Sequence, residues 1–373
     1  MYQSIVSVKN TSKIIILTLW KFLLNLTVVI SINLRKYVGV NTDLPKLNYA
    51  GAVSGNYGGP RVKVKQLKSR FHAKLIDFNI VYILSNYSYL SKNSLEKIKD
   101  AGIPIVLNQN GVYAPGWFGA GWESKNLPNI HAYELCDYVF WQSHFAKKSS
   151  EQFLSTKNKS GEILYNAVDL KRYFPKKIER RKEFIFLVAG NFRSKASFYQ
   201  IEASLKALSC LTKEKDTKLR IAGLSNEMKN LTMKLAIELK VYEKIELVGG
   251  YSQESWPEIV RDSDVYMALK FQDTCPNLVL EAMSSGLPVL YSASGGTPEL
   301  VNDKCGIGLS VSGDWFTNPH APNIDDIANA MRILKNEKKV MSLAARSCAE
   351  DRFGIELWYQ RHLQLFSRYL EKE

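Results

Sequence analysis

The 373-residue sequence lacks the residue patterns that mark several large protein classes. Its five cysteines are scattered singly, without the spacing of a zinc knuckle, a CxxC redox site or a disulfide-stapled secreted domain. Its five histidines form no HxxH or HExxH pair, so a zinc hydrolase is not expected. Internal repeats and low-complexity segments are missing as well. An apolar fraction of 46% and a charged fraction of 23% instead indicate a globular protein, long enough for about two domains.

Acidic residues are nearly missing from the first 72 positions, which hold eleven lysines and arginines against the single acid Asp43. This region therefore carries +10 of the chain's net charge of +14. Such an excess is typical of proteins that bind nucleic acid or an anionic lipid surface. The same region contains an apolar run at residues 14–32, and this combination favours a membrane surface.

The apolar run at residues 14–32 is nearly long enough to span a bilayer as a helix. Thr18, Lys21 and Asn25 fall on one helical face, and a lysine near the middle of a span costs about 3 kcal/mol. Basic residues flank both ends, and the run lacks a signal-peptide cleavage site. We expect an interfacial or buried helix; a helix at 14–26 followed by a buried strand at 27–32 is an alternative, and a true span stays open.

Beyond this run, continuous apolar segments alternate with helical stretches. The predicted strands lie at residues 79–84, 104–107, 138–141 and 163–165 in the first half, and at 184–189, 218–222, 245–248, 265–269 and 288–291 in the second. Apolar strands joined by helices indicate parallel sheets covered on both faces, with ligands at the carboxyl ends of the strands.

A polar and charged segment at residues 173–181 interrupts this alternation and is interpreted as a hinge. The sequence therefore predicts an α/β protein with two doubly wound, Rossmann-like domains that face each other across a cleft. The first is placed at residues 1–176 and the second at 177–353. Residues 354–373 are predicted to form a carboxyl-terminal helix that packs back on the first domain.

The most specific motif reads DTCPNLVLEAMSSGLPV over residues 273–289 and continues as GGTPE. A helix is predicted to begin after Pro276, which leaves the backbone amides of Asn277 and Leu278 free to bind phosphate. The amino terminus of a helix also carries the positive end of the helix dipole. The motif therefore indicates a phosphate-binding helix at the edge of the second sheet.

Two carboxylates and two glycines accompany this predicted helix. Asp273 precedes the helix and Glu281 lies in its second turn, so both can reach one cleft. A carboxylate at the Glu281 position is suited to accept hydrogen bonds from the hydroxyls of a ribose. Gly295 and Gly296 begin another helix that is directed toward the same cleft.

The ordered string resembles the signature of the family-four retaining glycosyltransferases, which have the GT-B fold. That signature has an acidic residue, seven residues, Glu, Ala-Met, a Gly-x-Pro-Val strand and a Gly-Gly-x-Pro-Glu loop; here Asp273 stands where Glu is usual. The NAVD segment at 166–169, the strand that follows Asp264, and the pair Gly58-Gly59 resemble further parts of the family pattern. The second half of the chain is covered almost throughout, and the first half loosely.

The resemblance implies a retaining hexosyltransferase that moves a sugar from a nucleotide sugar to a hydroxyl on a glycan or lipid-linked acceptor. By the resemblance, Arg193 and Lys195 neutralise the leaving diphosphate, and Glu281 anchors the ribose. Asp273 holds sugar hydroxyls and offsets positive charge on the sugar. Further substrate-binding positions are Asn277, Leu278, Gly58, Gly59, Asn110, Gly295 and Gly296. Asn110 replaces a histidine that many relatives place near the sugar.

The expected cellular role follows from the resemblance and the charge distribution together. We expect a cytoplasmic enzyme of surface polysaccharide or glycolipid synthesis, peripheral on an anionic membrane surface at its inner face. No specific nucleic acid is expected as a partner. No metal and no cofactor is expected, because the Asp262-Ser-Asp264 pair precedes a strand and is interpreted as a cap.

Two alternative functions and the role of one loop stay open at this point. A nucleotide-sugar epimerase needs carboxylates and histidines in the cleft, which the sequence does not supply. A non-catalytic protein that binds membrane or nucleic acid would explain the basic first region but would leave the motif around Asp273 without a role. A glycine-rich loop with Tyr113, Trp117, Phe118 and Trp122 can stack on an acceptor sugar, contact lipid, or simply pack.

Overall fold

The structure of the protein is a computed structural model that describes residues 2–35, 44–55, 59–85, 89–176 and 182–371. The described chain contains two six-stranded parallel sheets flanked by helices. This arrangement confirms the predicted pair of Rossmann-like domains. Residues 177–181 of the expected hinge lie outside the described residues.

The first sheet has the strand order β2-β1-β3-β4-β5-β6. Its strands are β1 (Lys46–Asn48), β2 (His72–Ala73), β3 (Ile80–Leu84), β4 (Ile105–Gln109), β5 (Tyr138–Trp141) and β6 (Gly161–Ile163). Its helices are α1 (Tyr2–Arg35), α2 (Gly59–Lys68), α3 (Lys92–Asp100), α4 (Pro115–Phe118), α5 (Trp122–Leu135) and α6 (His144–Phe153). Every residue of β3 and β4 is buried, as expected for continuous apolar strands between two helical layers.

The second sheet has the strand order β12-β11-β10-β7-β8-β9. Its strands are β7 (Phe184–Phe192), β8 (Thr217–Leu224), β9 (Ile245–Val248), β10 (Val265–Ala268), β11 (Val289–Ser292) and β12 (Gly306–Leu309). The helices are α7 (Phe198–Ser209), α8 (Asn226–Glu238), α9 (Trp256–Arg261), α10 (Asn277–Ser284), α11 (Thr297–Leu300), α12 (Ile324–Phe353) and α13 (Ile355–Leu370). The side chains of Ser225 and Asn323 cap α8 and α12 by accepting hydrogen bonds from backbone amides of the first turn.

The last helix, α13, packs on the first domain rather than on the second. Trp358 and Phe366 join the apolar cluster that contains Leu47 of β1 and Tyr82 of β3. His362 is fully buried there, with its Nε2 2.8 Å from the Tyr82 hydroxyl. Burial lowers the pKa of His362 to about 3, so this histidine is neutral and structural at physiological pH.

The amino-terminal run forms one continuous helix, so the alternative of a strand at residues 27–32 is wrong. Leu24, Val28 and Ile32 follow one another at four-residue spacing and are buried against the first domain. This packing outweighs the strand preference of the β-branched residues in that segment. By length and composition, residues Ile15–Arg35 would suffice to cross a membrane, and among the described residues no other helix meets that criterion.

Candidate functional site

The carboxyl ends of strands from both sheets face each other across a cleft of about 440 Å³. The first wall comes from the start of α2 and the ends of β3, β4 and β5, and the second comes from the ends of β7 and β10 and the start of α10. This is where ligands bind in open parallel sheets. The cleft is therefore the candidate site, and its two walls differ in chemistry.

The first wall is built around the buried ammonium of Lys63 on α2. Lys63 Nζ donates to Asn108 Oδ1 at 2.8 Å and to Asn166 Oδ1 at 2.7 Å. The amide of Gln142 donates to the same Asn108 oxygen at 2.8 Å, and Asn166 Nδ2 donates to the carbonyl of Cys275 at 2.8 Å. All five residues line the cleft. This wall is thus a hydrogen-bonded set of amides around one cation, and it reaches the second domain through Cys275.

Burial changes the protonation of this cation. The loss of solvent lowers the pKa of Lys63 from 10.5 to about 7, and the neighbouring Cys275 acts in the opposite direction. A lysine at a pKa near 7 can exchange its proton within the physiological range. The first wall therefore holds a group that can be charged or neutral at little cost.

The second wall carries the charged pair Lys270 and Asp273 in the loop that follows β10. Lys270 Nζ lies 3.1 Å from Asp273 Oδ2, and both residues line the cleft. The lysine side chain is 56% exposed and the aspartate side chain 23% exposed. A pair this exposed is weak, so a ligand that enters the cleft can separate the two charges at small cost.

Gly295 and Gly296 support this loop from behind. The amide of Gly296 donates to the carbonyl of Asp273 at 2.7 Å. A Cβ at Gly295 would lie 2.5 Å from that same carbonyl oxygen, and a Cβ at Gly296 would lie 1.9 Å from the carbonyl oxygen of Thr274. Neither glycine is among the residues that line the cleft. The two glycines thus allow a close backbone approach that fixes the position of Asp273.

The helix α10 begins at Asn277 and directs its first turn into the cleft. Asn277 and Leu278 both line the cleft, and their amides precede the first helical hydrogen bonds. Among the described residues, the buried Oδ1 of Asn277 has no hydrogen-bond partner. The start of α10 therefore offers a phosphate-binding geometry and an unpaired polar atom at the same place.

Glu281 lies behind the second wall rather than among its lining residues. Its Oε2 accepts a hydrogen bond from Trp256 Nε1 at 2.6 Å, and the ring of Trp256 stacks on Tyr251 at 4.5 Å between ring centroids. Burial raises the pKa of Glu281 to about 7, although hydrogen bonds from Trp256 and Tyr173 and the charge of Arg172 oppose the shift. The carboxyl group is thus fixed in place beside an aromatic stack.

The structure does not bring Arg193 and Lys195 into the cleft. Both side chains are exposed and follow β7, and neither is among the lining residues. Their neighbours Phe192 and Ser197 do line the cleft, so the segment itself borders the site. The cations that line the cleft among the described residues are Lys63 and Lys270.

The remaining predicted residues lie at the first wall. Gly59 starts α2 and lines the cleft, whereas Gly58 lies outside the described residues. The backbone amide of Asn110 donates to the Ser85 hydroxyl at 3.0 Å, and Asn110 lines the cleft just beyond β4. Gly59 also lies close to Asn277 of the opposite wall, since a Cβ at Gly59 would be 3.8 Å from its Nδ2.

A second cavity of about 340 Å³ opens from the cleft and shares Asn110, Lys270 and Asp273 with it. Its far side carries Tyr113 and Trp117, whose rings stack at 5.4 Å between centroids. The predicted aromatic loop therefore lies beside Asp273. Aromatic faces next to polar groups are suited to bind a sugar ring.

Glu299 of the GGTPE segment joins the two domains. Its carboxylate accepts hydrogen bonds from the backbone amides of His144 and Phe145, at 2.7 and 2.8 Å. These amides are at the start of α6 in the first domain, where a negative charge is favourable. Glu299 thus acts as a helix cap across the domain boundary.

The Asp262-Ser-Asp264 pair has structural partners. Asp264 accepts a hydrogen bond from the amide of Ile185 at 2.8 Å and pairs with Lys338 at 3.0 Å. Asp262 pairs with Lys176 at 3.0 Å. The two carboxylates thus stabilise the start of β7 and the boundary between the domains.

Sequence reasoning missed Lys63, Lys270, Asn108 and Gln142. Lys63 had a detectable signal, because it lies beside Val64 and Leu67 on the apolar face of α2, where a lysine is unusual. Asn108 and Gln142 follow apolar strand residues, as side chains at the carboxyl ends of parallel strands do. The sequence gives no indication that these side chains meet in one hydrogen-bonded set around the Lys63 ammonium.

Residues 170–347 match the family model described as Glycosyl transferases group 1. The chain is 24% identical over 176 residues to N-acetyl-alpha-D-glucosaminyl L-malate synthase of Bacillus anthracis, an alignment that covers 45% of this chain and 44% of that protein. It is 25% identical over 241 residues to UDP-Gal:alpha-D-GlcNAc-diphosphoundecaprenol alpha-1,3-galactosyltransferase of Escherichia coli, which covers 56% and 57%. The chain thus spans about half the length of the curated relatives it matches.

The fold is similar to solved glycosyltransferase structures. Sucrose-phosphate synthase from Thermosynechococcus elongatus superposes with a TM-score of 0.65 at 15% identity, over 88% of this chain and 99% of that one. Anabaena HepE in complex with UDP superposes with a TM-score of 0.61 at 14% identity, over 83% and 82%. Together with the two parallel sheets, these similarities confirm the GT-B fold.

Proposed function

We propose that the protein is a retaining glycosyltransferase, which transfers a hexose from a nucleoside-diphosphate sugar to a hydroxyl of a glycan or lipid-linked acceptor. The observation that carries the proposal is the second wall of the cleft. There, a group 1 domain combines the start of α10 with the pair Lys270 and Asp273. The similarity to structures with bound UDP and the name of the Escherichia coli relative support a nucleotide-sugar donor.

The departing diphosphate is the group that most needs stabilisation in this reaction. Negative charge builds on it as the bond to the sugar breaks, so cations and amide donors lower the barrier. We assign this role to the amides of Asn277 and Leu278 and to Lys270, which line the cleft. Arg193 and Lys195 are exposed at its border and are proposed to join once donor is bound.

The sugar and the ribose are held by the two carboxylates. Asp273 is proposed to bind sugar hydroxyls and to offset positive charge on the ring carbon, because it lies in the cleft beside the aromatic cavity. Glu281 is proposed to accept hydrogen bonds from the ribose after small movements of Trp256. Gly59 and Asn110 would contact the donor or the acceptor sugar from the first wall.

The proposed step keeps the configuration of the sugar. The bond between the anomeric carbon and the phosphate oxygen breaks, the acceptor oxygen bonds to the same face of that carbon, and the acceptor proton moves to the phosphate oxygen. No covalent sugar–enzyme intermediate is required. Cations and helix amides supply the positive charge, and we propose that neither a metal nor a cofactor takes part.

A membrane surface at the cytoplasmic side is the proposed location, with surface polysaccharide or glycolipid as the product. The polar face of α1 is turned toward the protein: Asn25 bonds the backbone of Tyr89 and Ser91, and Lys21 lies 5.6 Å from the centre of the Tyr89 ring. The other faces expose large apolar side chains such as Phe22, at 63% exposure. Such a helix is suited to lie in an interface while attached to its domain.

Donor hydrolysis by the purified protein tests the proposal. Common nucleotide sugars are supplied in the presence of EDTA to wild type, to an Arg193→Ala/Lys195→Ala variant and to Lys270→Ala. Loss of phosphate contacts should lower kcat/KM by about a hundredfold, or about 2–3 kcal/mol. The matched control is Lys229→Ala/Lys234→Ala, two exposed lysines of α8.

Each outcome has a definite meaning. A metal-independent signal that is lost in Lys270→Ala or in the double variant supports the transferase and shows which cations act. If wild type neither hydrolyses nor binds any nucleotide sugar, the proposal is overturned. The protein would then be interpreted as a non-catalytic scaffold. If activity requires a divalent ion, the metal-independent part alone is rejected.

A further inference from the structure

A groove of about 470 Å³ lies between α1 and the first domain, away from the cleft. One side is formed by Trp20, Leu23 and Thr27 of α1, and the other includes Tyr49 and Val53. The lining is mainly apolar. Trp20 and Leu23 line the groove and are also exposed on α1, so the groove opens beside the exposed apolar side chains of this helix.

Large apolar side chains extend this surface onto the domain itself. Val53 and Leu75 line the groove and are 47% and 64% exposed. Monomeric proteins seldom leave contiguous apolar patches of this kind without a partner. The groove and the helix therefore form one apolar region that belongs to two separate segments of the chain.

Two cations border the groove. Lys68, the last residue of α2, and Lys74, which follows β2, both line it and are exposed, and the described lining residues include no carboxylate. Lys68 Nζ lies 5.7 Å from the centre of the Tyr49 ring. An apolar channel with cations at its rim is complementary to a lipid that carries a phosphate.

The helix α2 connects this groove to the cleft. Gly59 and Lys63 line the cleft near its start, and Lys68 lines the groove at its end, roughly 14 Å away at 1.5 Å per residue. Arg61, Lys65 and Lys68 lie at four- and three-residue spacing and are all exposed, so they form one basic face. This face lies on the opposite side of α2 from Lys63, so a negatively charged group would follow it from the groove and pass around the start of the helix at Gly59 to reach the cleft.

We propose that the groove binds the hydrocarbon chain of a lipid-linked acceptor, whose phosphates lie along the basic face of α2 while its sugar reaches the cleft. This inference rests on the proposed function and specifies the acceptor as a long-chain lipid phosphate or diphosphate. The groove selects the chain, the lysines select the phosphate, and the length of α2 sets the distance between the chain and the reacting hydroxyl.

Binding of a long-chain isoprenyl diphosphate from detergent micelles tests the proposal directly. Ala73 lines the groove, and Ala73→Trp fills it; Ala101→Trp, at an exposed alanine after α3 outside the groove, is the matched control. Wild type and Ala101→Trp should retain one lipid per chain. Ala73→Trp should bind at least tenfold more weakly. Equal binding by Ala73→Trp and Ala101→Trp would overturn the proposal.

A charge-reversal pair covers the case in which the tryptophan disturbs folding. Lys68→Glu/Lys74→Glu should weaken binding of the diphosphate at least tenfold and leave binding of the corresponding isoprenyl alcohol unchanged. Lys229→Glu/Lys234→Glu has the same net charge and should bind as wild type does. An equal loss in both double variants would mean that the groove lysines have no specific role and would reject the phosphate assignment.

Two further arms separate the possible sources and the two proposals. If phosphatidylglycerol displaces the isoprenyl diphosphate at equal concentration, the groove is a bulk-lipid contact and the acceptor assignment is overturned. Donor hydrolysis by wild type reports on the proposed function alone. If wild type hydrolyses donor but Ala73→Trp binds the lipid normally, the groove proposal fails and the proposed transferase stands. If Ala73→Trp loses lipid binding but wild type does not use donor, the groove proposal stands and the proposed transferase fails.

Discussion

Loss of solvent moves Lys63 of the first wall and Glu281 behind the second wall toward neutrality from opposite directions. On the first wall, the pKa of Lys63 falls to about 7, and behind the second wall the pKa of Glu281 rises to about 7. Desolvation penalises whichever form is charged, so it disfavours a cation on one side and an anion on the other. Two groups of opposite type thus approach the same pKa for one physical reason.

The partners of these two groups differ. The oxygens of Asn108 and Asn166 accept hydrogen bonds from Lys63, while the buried Nδ2 of Asn108 has no partner among the described residues. On the opposite side, Lys270 and Asp273 form an exposed pair, and Asn277 Oδ1 is left without a partner among the described residues. Each wall thus has one amide atom that a ligand can bind, and the walls differ in charge: the first holds a buried ammonium, and the second holds an exposed ion pair.

The largest expected effect tests the second wall. Asp273→Asn removes the carboxylate but keeps its shape, and transfer should slow a hundred- to a thousandfold, about 3–4 kcal/mol, because a transition-state charge loses its partner. Initial rates at saturating donor measure the loss, and calorimetry should show donor affinity within a few-fold of wild type. Asp303→Asn, an exposed aspartate before β12, is the control. Equal rates for the two variants would contradict the assignment.

Glu281→Gln tests the partly buried acid behind the second wall. The folded protein keeps a proton on Glu281 that the unfolded chain loses above pH 4.5, so the stability from this group is lost as pH rises to about 7. The free energy of unfolding of wild type, relative to the variant, should fall by about 2–3 kcal/mol between pH 4.5 and 7.5. Urea titrations at several pH values measure it. Glu238→Gln, on the surface of α8, should show no such slope.

Lys63→Met should give the opposite slope, which sharpens the comparison. Folding lowers the pKa of Lys63 from 10.5 to about 7. Between pH 7 and 10.5, the unfolded chain therefore keeps a proton on Lys63 that the folded protein has released. The free energy of unfolding of wild type, relative to the variant, should therefore rise by about 2 kcal/mol between pH 7 and 9 in the same urea titrations. Lys125→Met, at an exposed lysine of α5, is the matched control. If unfolding free energy changed with pH in the same direction for Lys63 and Glu281, the opposite pKa shifts assigned to these two residues would be refuted.

The smallest expected effect concerns the contact between the domains. Glu299→Gln weakens the cap on α6 and should lower the free energy of unfolding by about 1 kcal/mol, since a charged acceptor at two helix amides is replaced by a neutral one. Thermal unfolding measures the difference against Glu238→Gln. A variant as stable as this control would show that the cap contributes nothing to the joining of the domains.

The site residues that lie close together in the sequence were easier to predict than those that lie apart. Asp273, Asn277 and Leu278 lie within six positions on one loop and one helix, so local rules placed them at the end of the second sheet, where the structure has them. Arg193 and Lys195 were assigned by resemblance, yet the direction of a side chain after β7 depends on a turn that spacing does not specify. Their role stays a proposal for this reason.

The sequence by itself determined the two parallel sheets, because continuous apolar runs between helices leave few other ways to bury both faces. It also determined the start of α10 after Pro276, whose geometry is local. Only the tertiary structure decided that residues 27–32 continue α1, since a β-branched run fits either structure until it packs. Only the tertiary structure also joined Lys63 to Asn108 and Asn166, because these residues come from separate segments that meet only when the strands align.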